Sequence, residues 1–241
     1  MTSSNSPDDS DPGDASTDDS RSAGDHPPQS PEQLFRTAVS LESGRGVLAL
    51  LLGWAVGPDA RDGIPEADAA NVREIALGIG YGLLAAVPLY AAITAMRKIP
   101  WQPIRDLEKL GDEGMFAALM SLTVPEMLTV SLCAGVGEEL LFRGWLLPAI
   151  ASWMPERIEP QVAMGLALAG SSVLFGLVHP ITKLYIVVAA LIGVYFGALY
   201  LWSGNLLVPI VAHAAYDAVL MVVSKFQDAN EWASEEAETG D

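Results

Sequence analysis

Residues 74–96 read EIALGIGYGLLAAVPLYAAITAM, and the reading of this stretch decides the fold class. After Glu74 it carries no charge, and its length matches the roughly twenty apolar residues that a helix needs to cross a bilayer. Comparable runs lie on both sides of it, at 34–57 (core VLALLLGWAVG), 115–136, 138–154, 161–179, 184–202 and 205–224. These are seven apolar segments, of which 138–154 is the shortest and most polar. Gly78, Gly80, Gly82, Gly193 and Gly197 lie within them, and small residues allow close helix approach where lipid gives no hydrophobic drive for association. The pattern predicts an all-α, polytopic transmembrane bundle of about six to eight helices with disordered acidic tails.

Composition agrees once it is divided along the chain. The 241 residues are 51% apolar yet carry a formal net charge of -17. Fourteen of the thirty acids fall in 1–33 and 226–241, which leaves 34–225 about 60% apolar, against the 45–50% usual for soluble domains. No period of twenty to fifty residues recurs, so 34–225 reads as one transmembrane domain. The stretch 1–33 holds eight acids and three apolar residues, Met1, Ala15 and Ala23. It cannot bury enough surface to offset an ordering cost of roughly 1–2 kcal/mol per residue, and it lacks the basic-then-apolar pattern of a signal peptide. Its acidity, and the acidic tail 226–241, fit a halophilic type of cytoplasm.

The single Cys133 excludes a disulfide framework. The thirteen scattered basic residues form no patch, which argues against nucleic acid as a partner. Lipid and a membrane-associated protein or peptide are the expected partners, with the cell membrane as the location. Arg97, Lys98, Arg105 and Lys109 make 97–114 the densest basic loop, so the positive-inside rule places it, and the N-terminal tail, in the cytoplasm. The segment IPWQPIRDLEKL at 99–110 reads either as an interfacial helix with Trp101 and Ile104 toward lipid or as an ordinary loop.

The informative residues are those that lipid excludes. An ionisable group near the bilayer centre costs roughly 2.5–3.5 kcal/mol on insertion scales and usually faces a partner or a cavity. Segment 138–154 nevertheless opens Glu138-Glu139-Leu140-Leu141-Phe142-Arg143-Gly144, segment 161–179 ends Phe175-Gly176-Leu177-Val178-His179-Pro180, and segment 205–224 contains His213-Ala214-Ala215-Tyr216-Asp217. Glu139 and Arg143 are four apart on one helical face, a spacing that suits a paired, supporting role. Glu138 points about 100° away, unneutralised by Arg143, where a carboxylate can serve as a general base. His213 and Asp217 are also four apart, so that Asp217 either orients the ring or faces the same chamber. His179 precedes Pro180, which ends or kinks its helix. Taken singly, each has an ordinary structural reading. Together on three apolar helices they point to a polar chamber with a shared function. Glu126, beside Pro125, reads as a kink or interfacial residue.

These residues resemble the CPBP family of intramembrane proteases, also called the type II CAAX prenyl endopeptidase or Abi family. Its pattern is Glu-Glu-x-x-x-Arg, Phe-x-x-x-His and His-x-x-x-Asn/Asp on successive helices. Here Glu138, Glu139 and Arg143 match the first motif, Phe175 and His179 the second, and His213 and Asp217 the third, with the similarity spanning about 115–224. The resemblance implies hydrolysis of a peptide bond within the membrane, prenylated CAAX proteins being the family's named substrates. Glu138 and His179 would activate water, His213 and Asp217 would line the oxyanion region, and Glu139, Arg143 and Phe175 would support them. An ionised Asp217 only accepts hydrogen bonds, so it must be protonated or must hold His213 in its donating form.

Members are often classed as metalloendopeptidases. Glu138, His179 and His213 would be the ligands if Zn2+ is bound. No His-Glu-x-x-His helix is present, nor is a Gly-x-Ser-Gly motif, and water activated by glutamate without metal is the preferred reading, with no firm cofactor. Two other readings compete: a non-proteolytic immunity or scaffold protein that keeps the chamber, and a transporter with a proton relay, whose inverted halves are not seen.

Overall fold

The computed structural model describes residues 30–112 and 118–239. The expected N-terminal tail lies outside the described residues up to 29. Helix α1 (Pro31–Val56) starts inside the stretch assigned to it, because Ser30 accepts from the Gln33 amide, the Gln33 side chain accepts from the Ser30 amide, and Pro31 occupies the first helical position. There follow α2 (Val72–Arg97), α3 (Gln102–Asp112) and α4 (Val124–Glu139). A π-helical segment (Leu140–Leu146) leads directly into α5 (Leu147–Trp153), followed by α6 (Pro160–Leu177), α7 (Lys183–Ser203) and α8 (Leu207–Thr239). Among the described residues five helices are long and apolar enough to cross a membrane: α1, α2, α6, α7 and α8 as far as Gln227. They turn Trp54, Leu84, Leu191 and Trp202 outward, each more than 60% exposed, as side chains that meet lipid should be. The protein is an all-α membrane helical bundle.

Several expectations change. Segments 115–136 and 138–154 are not two spans. From Val124 they form one helical path through α4, the π segment and α5, because no Gly-Pro or polar break separates Val136 from Glu138 and the π segment absorbs the extra residue without ending the helix. The stretch 226–239, expected to be tail, continues α8 as helix. Gly80 has no neighbour to approach, whereas Gly78, Gly82, Gly193 and Gly197 do meet other helices.

The bundle is organised around α8 and α4. α2 and α4 both pack on α8, α1 packs on α4, and α6 pairs with α7. Glycines set the closest approaches. A Cβ on Gly137 would run into the carbonyl oxygen of Glu42 in α1, and one on Gly176 into that of Ile186 in α7. At the end of α7, Gly204 adopts a left-handed conformation (φ 65°) and its amide bonds the Tyr200 carbonyl at 2.8 Å, a cap that suits glycine. Asn205 then bridges the start of α8 to the Glu74 carbonyl of α2. α3 is amphipathic, but Ile104 is 3% exposed and packs inward rather than toward lipid, while Trp101 remains exposed. Glu126 neither kinks the helix nor joins the site. It closes a capping box by accepting from the Thr123 amide at 2.8 Å.

Candidate active site

α4 presents Glu138 and Glu139 at its C-terminal end on different faces, as the 100° step requires. Glu139 is fully buried and accepts from Arg143 Nη1 at 2.7 Å. Arg143 sits in the π segment, donates from Nη2 to the Gly193 carbonyl of α7 at 2.8 Å, and stacks its guanidinium 4.5 Å from the Phe175 ring centroid. Phe175 also meets Phe142 edge to face at 5.0 Å. The Glu139–Arg143 pair therefore ties α4 to α6 and α7.

His179 lies just past α6, in the turn made by Pro180. Its Nδ1 is 2.7 Å from the Phe175 carbonyl oxygen. A carbonyl only accepts, so Nδ1 carries the hydrogen and Nε2 is turned to Glu138 Oε1, 3.4 Å away. His213, near the start of α8, has the same design. Its Nδ1 donates to Glu139 Oε1 at 2.9 Å, and its Nε2 faces Asp217 Oδ2 at 3.4 Å and Glu138 Oε2 at 3.9 Å. Phe196 of α7 stacks on the His213 ring with centroids 4.9 Å apart. The orientation of His213 thus comes from Glu139. Asp217 stands at the other ring nitrogen, facing the chamber. In both rings Nδ1 is committed to a structural hydrogen bond and Nε2 is presented to the same carboxylate. The sequence-predicted residues from three helices meet at Glu138.

The comparisons with known proteins bear on the same region. A family model for type II CAAX prenyl endopeptidases, Rce1-like, matches residues 120–219, which contain every one of these motif residues. An uncharacterized protein of Bacillus subtilis (strain 168), YpbD, is 30% identical over 174 residues, covering 70% of this chain and 78% of that protein. The chain belongs to the Rce1-like family. It is accordingly a multi-pass member of a membrane protease family. No solved structure gives a significant match.

In this Rce1-like chain Glu138, His179, His213 and Asp217 line a cavity of about 410 Å³. The cavity continues past Tyr185 and Phe196 to Met96 and Arg97 at the end of α2 and to Ile104 and Leu107 of α3. Sequence reasoning missed four participants. Tyr185 and Phe196 carry no signal beyond being aromatic in apolar runs. Glu42 and Arg45 of α1 do carry one, two charges three apart inside the first apolar run, but α1 lies outside the family match. Arg45 bonds both Glu42 and Glu138, so the carboxylate that Arg143 leaves unneutralised has a guanidinium partner from another helix.

This arrangement bears on metal. Among the described residues no group of three His, Cys, Asp or Glu side chains is arranged to hold an ion. Glu138 Oε1, the oxygen nearest His179, is already bonded to Arg45. A divalent cation between Glu138 and the two imidazoles would sit against that guanidinium. The donor set therefore does not fit Zn2+ as it stands.

Proposed function

We propose that the protein is an intramembrane endopeptidase that hydrolyses a peptide bond of a membrane-associated, CAAX-type protein with water activated by Glu138 and His179. The observation that carries this reading is the convergence of His179 Nε2 and His213 Nε2 on the two oxygens of Glu138, at 3.4 and 3.9 Å, in the wall of one cavity. Water held between Glu138 and His179 gives up a proton to the Glu138 carboxylate and attacks the scissile carbonyl carbon. Charge develops on the carbonyl oxygen, and His213, when cationic, donates to it from Nε2. Such a donor contributes roughly 2.7–4 kcal/mol where it acts as an oxyanion-hole group. The proton taken from water then passes to the leaving nitrogen as the C–N bond breaks. Asp217 keeps the N–H of the imidazolium paired in the resting site. Glu139 and Arg143 hold the ring and helix in place.

The cavity walls support this substrate class. Beyond the polar end the lining is aliphatic, with Ile93, Ile192, Leu220 and Met221, which suits a lipid-modified chain. By the positive-inside rule, the basic residues after α2 support a cytoplasmic location for this end and for the N-terminus.

The test is purified protein in detergent with a panel of peptides, prenylated and unmodified, in the presence and absence of chelator. The reading predicts cleavage of a prenylated peptide that chelator does not abolish and that Glu138→Ala and His179→Ala abolish. Failure to cut any peptide, or equal cutting by Glu138→Ala, overturns it. Loss in chelator with recovery in Zn2+ overturns the metal-free step.

A further inference from the structure

Each of the three groups that meet at the candidate site is held by a partner that takes no part in the proposed chemistry, and for Glu138 that partner comes from α1. His179 is fixed through the Phe175 carbonyl and His213 through Glu139. Glu138 is fixed through Arg45, whose Nη1 bonds Glu138 Oε1 and Glu42 Oε2. A guanidinium in a membrane-length helix is costly, and Glu42 alone, one turn away on the same helix, would neutralise it. Arg45 nevertheless reaches across to α4. Two glycines make that reach possible: Gly46 of α1 and Gly137 of α4 face each other, so the helices touch one residue from each member of the pair. Arg45 and Glu42 are 19% and 14% exposed and Glu138 is 3% exposed, so this contact is shielded from the solvent that weakens surface ion pairs.

We propose that Arg45, buttressed by Glu42, is a positioning residue of the active site that locks the Glu138 carboxylate with Oε1 toward His179 and Oε2 toward His213. The inference rests on the hydrolytic role of Glu138 given above. A glutamate facing a cavity otherwise has several side-chain rotamers open to it, and catalytic groups need to be held to within about 0.5 Å. The guanidinium removes that freedom while leaving the oxygens accessible from the cavity side. Arg45 itself does not line the cavity.

The experiment compares parent, Arg45→Gln, Arg45→Lys and Glu42→Gln on the peptide that the parent cuts best, together with infrared difference spectra of 13C-glutamate-labelled protein. Subtraction of the Glu138→Gln spectrum isolates the Glu138 carboxylate band. Arg45→Gln is expected to lower kcat about 100-fold, the usual cost of a misplacement of about 1 Å, with KM changed less than about threefold, since uniform binding is untouched. Arg45→Lys is expected to recover about tenfold of that loss, because an ammonium keeps the charge but lacks the planar, pre-organised guanidinium that fixes the direction of its bonds. The Glu138 band should shift in Arg45→Gln. An Arg45→Gln protein with the parent's kcat, a loss confined to KM, or an unshifted band overturns the proposal. Should Arg45→Gln fail to fold, Arg45→Lys and Glu42→Gln decide it: both are expected to lower kcat and shift the band, and parent-like values in both overturn it. If the parent cuts no peptide, it is the hydrolytic reading that fails; the band alone then decides whether Arg45 positions Glu138.

Discussion

Glu138 and Glu139 are neighbours in the sequence, of the same type, at the end of the same helix, and they live in different worlds. Glu139 is wholly enclosed, bonded to Arg143 and to Nδ1 of His213, with its second oxygen buried and without a hydrogen-bond partner among the described residues. Glu138 is also buried but lines the cavity, and its contacts are to Arg45 and to the outward nitrogens of two imidazoles. A single 100° step along α4 separates a carboxylate that holds other groups from one that other groups hold. The difference teaches that burial alone does not mark the reactive residue. What marks it is which atoms of its partners are turned toward it.

Exchanging the two carboxylates for amides should split their effects. Glu138→Gln is expected to lower kcat by about 10³–10⁴-fold, at the upper end of what a general base contributes, with a melting temperature in detergent close to the parent's because Arg45 retains Glu42. Glu139→Gln should act in the opposite sense. It leaves Arg143 as a buried cation without its charge partner, and removal of one member of such a pair costs about 3–5 kcal/mol, readable as a loss of thermal stability even where residual cleavage survives. His213→Ala should cost about 100–1000-fold in kcat, in line with loss of one oxyanion donor, and little in KM. The smallest effect is expected at Asp217→Asn. With Glu139 already fixing the ring, kcat should change by no more than about fivefold, because an amide oxygen still accepts from Nε2–H. A collapse of activity in Asp217→Asn would instead make Asp217, not Glu139, the group that governs His213.

Much of this was legible in the chain alone, for identifiable reasons. Bilayer-length apolar runs state the fold class directly, and ionisable residues inside them state where to look, since lipid excludes charge without a use for it. The pairing of Glu139 with Arg143 follows from helical spacing. Contacts between distant helices do not. Arg45 meets Glu138 across 93 residues through a glycine-to-glycine approach that no local pattern encodes. Spacing likewise left Asp217 either orienting His213 or facing the same chamber, and it is the structure that gives Nδ1 to Glu139 from α4 and puts Asp217 in the cavity wall. The joining of 115–136 and 138–154 was hidden for a related reason: a π segment continues a helix past charged residues that read as an interruption. Ile104 was misdirected because an amphipathic helix looks the same whether its apolar side meets lipid or, as here, the cavity wall.

The claim at the centre of this account is that Glu138 activates water and does not itself attack the peptide. Single-turnover cleavage in H₂¹⁸O, with the new carboxylate read by mass spectrometry, tests it most directly. Activated water predicts one ¹⁸O in the product acid from the first turnover and no change in the mass of the protein. Product acid carrying only ¹⁶O, with ¹⁸O found in Glu138 instead, would show the carboxylate to be a nucleophile and contradict the account.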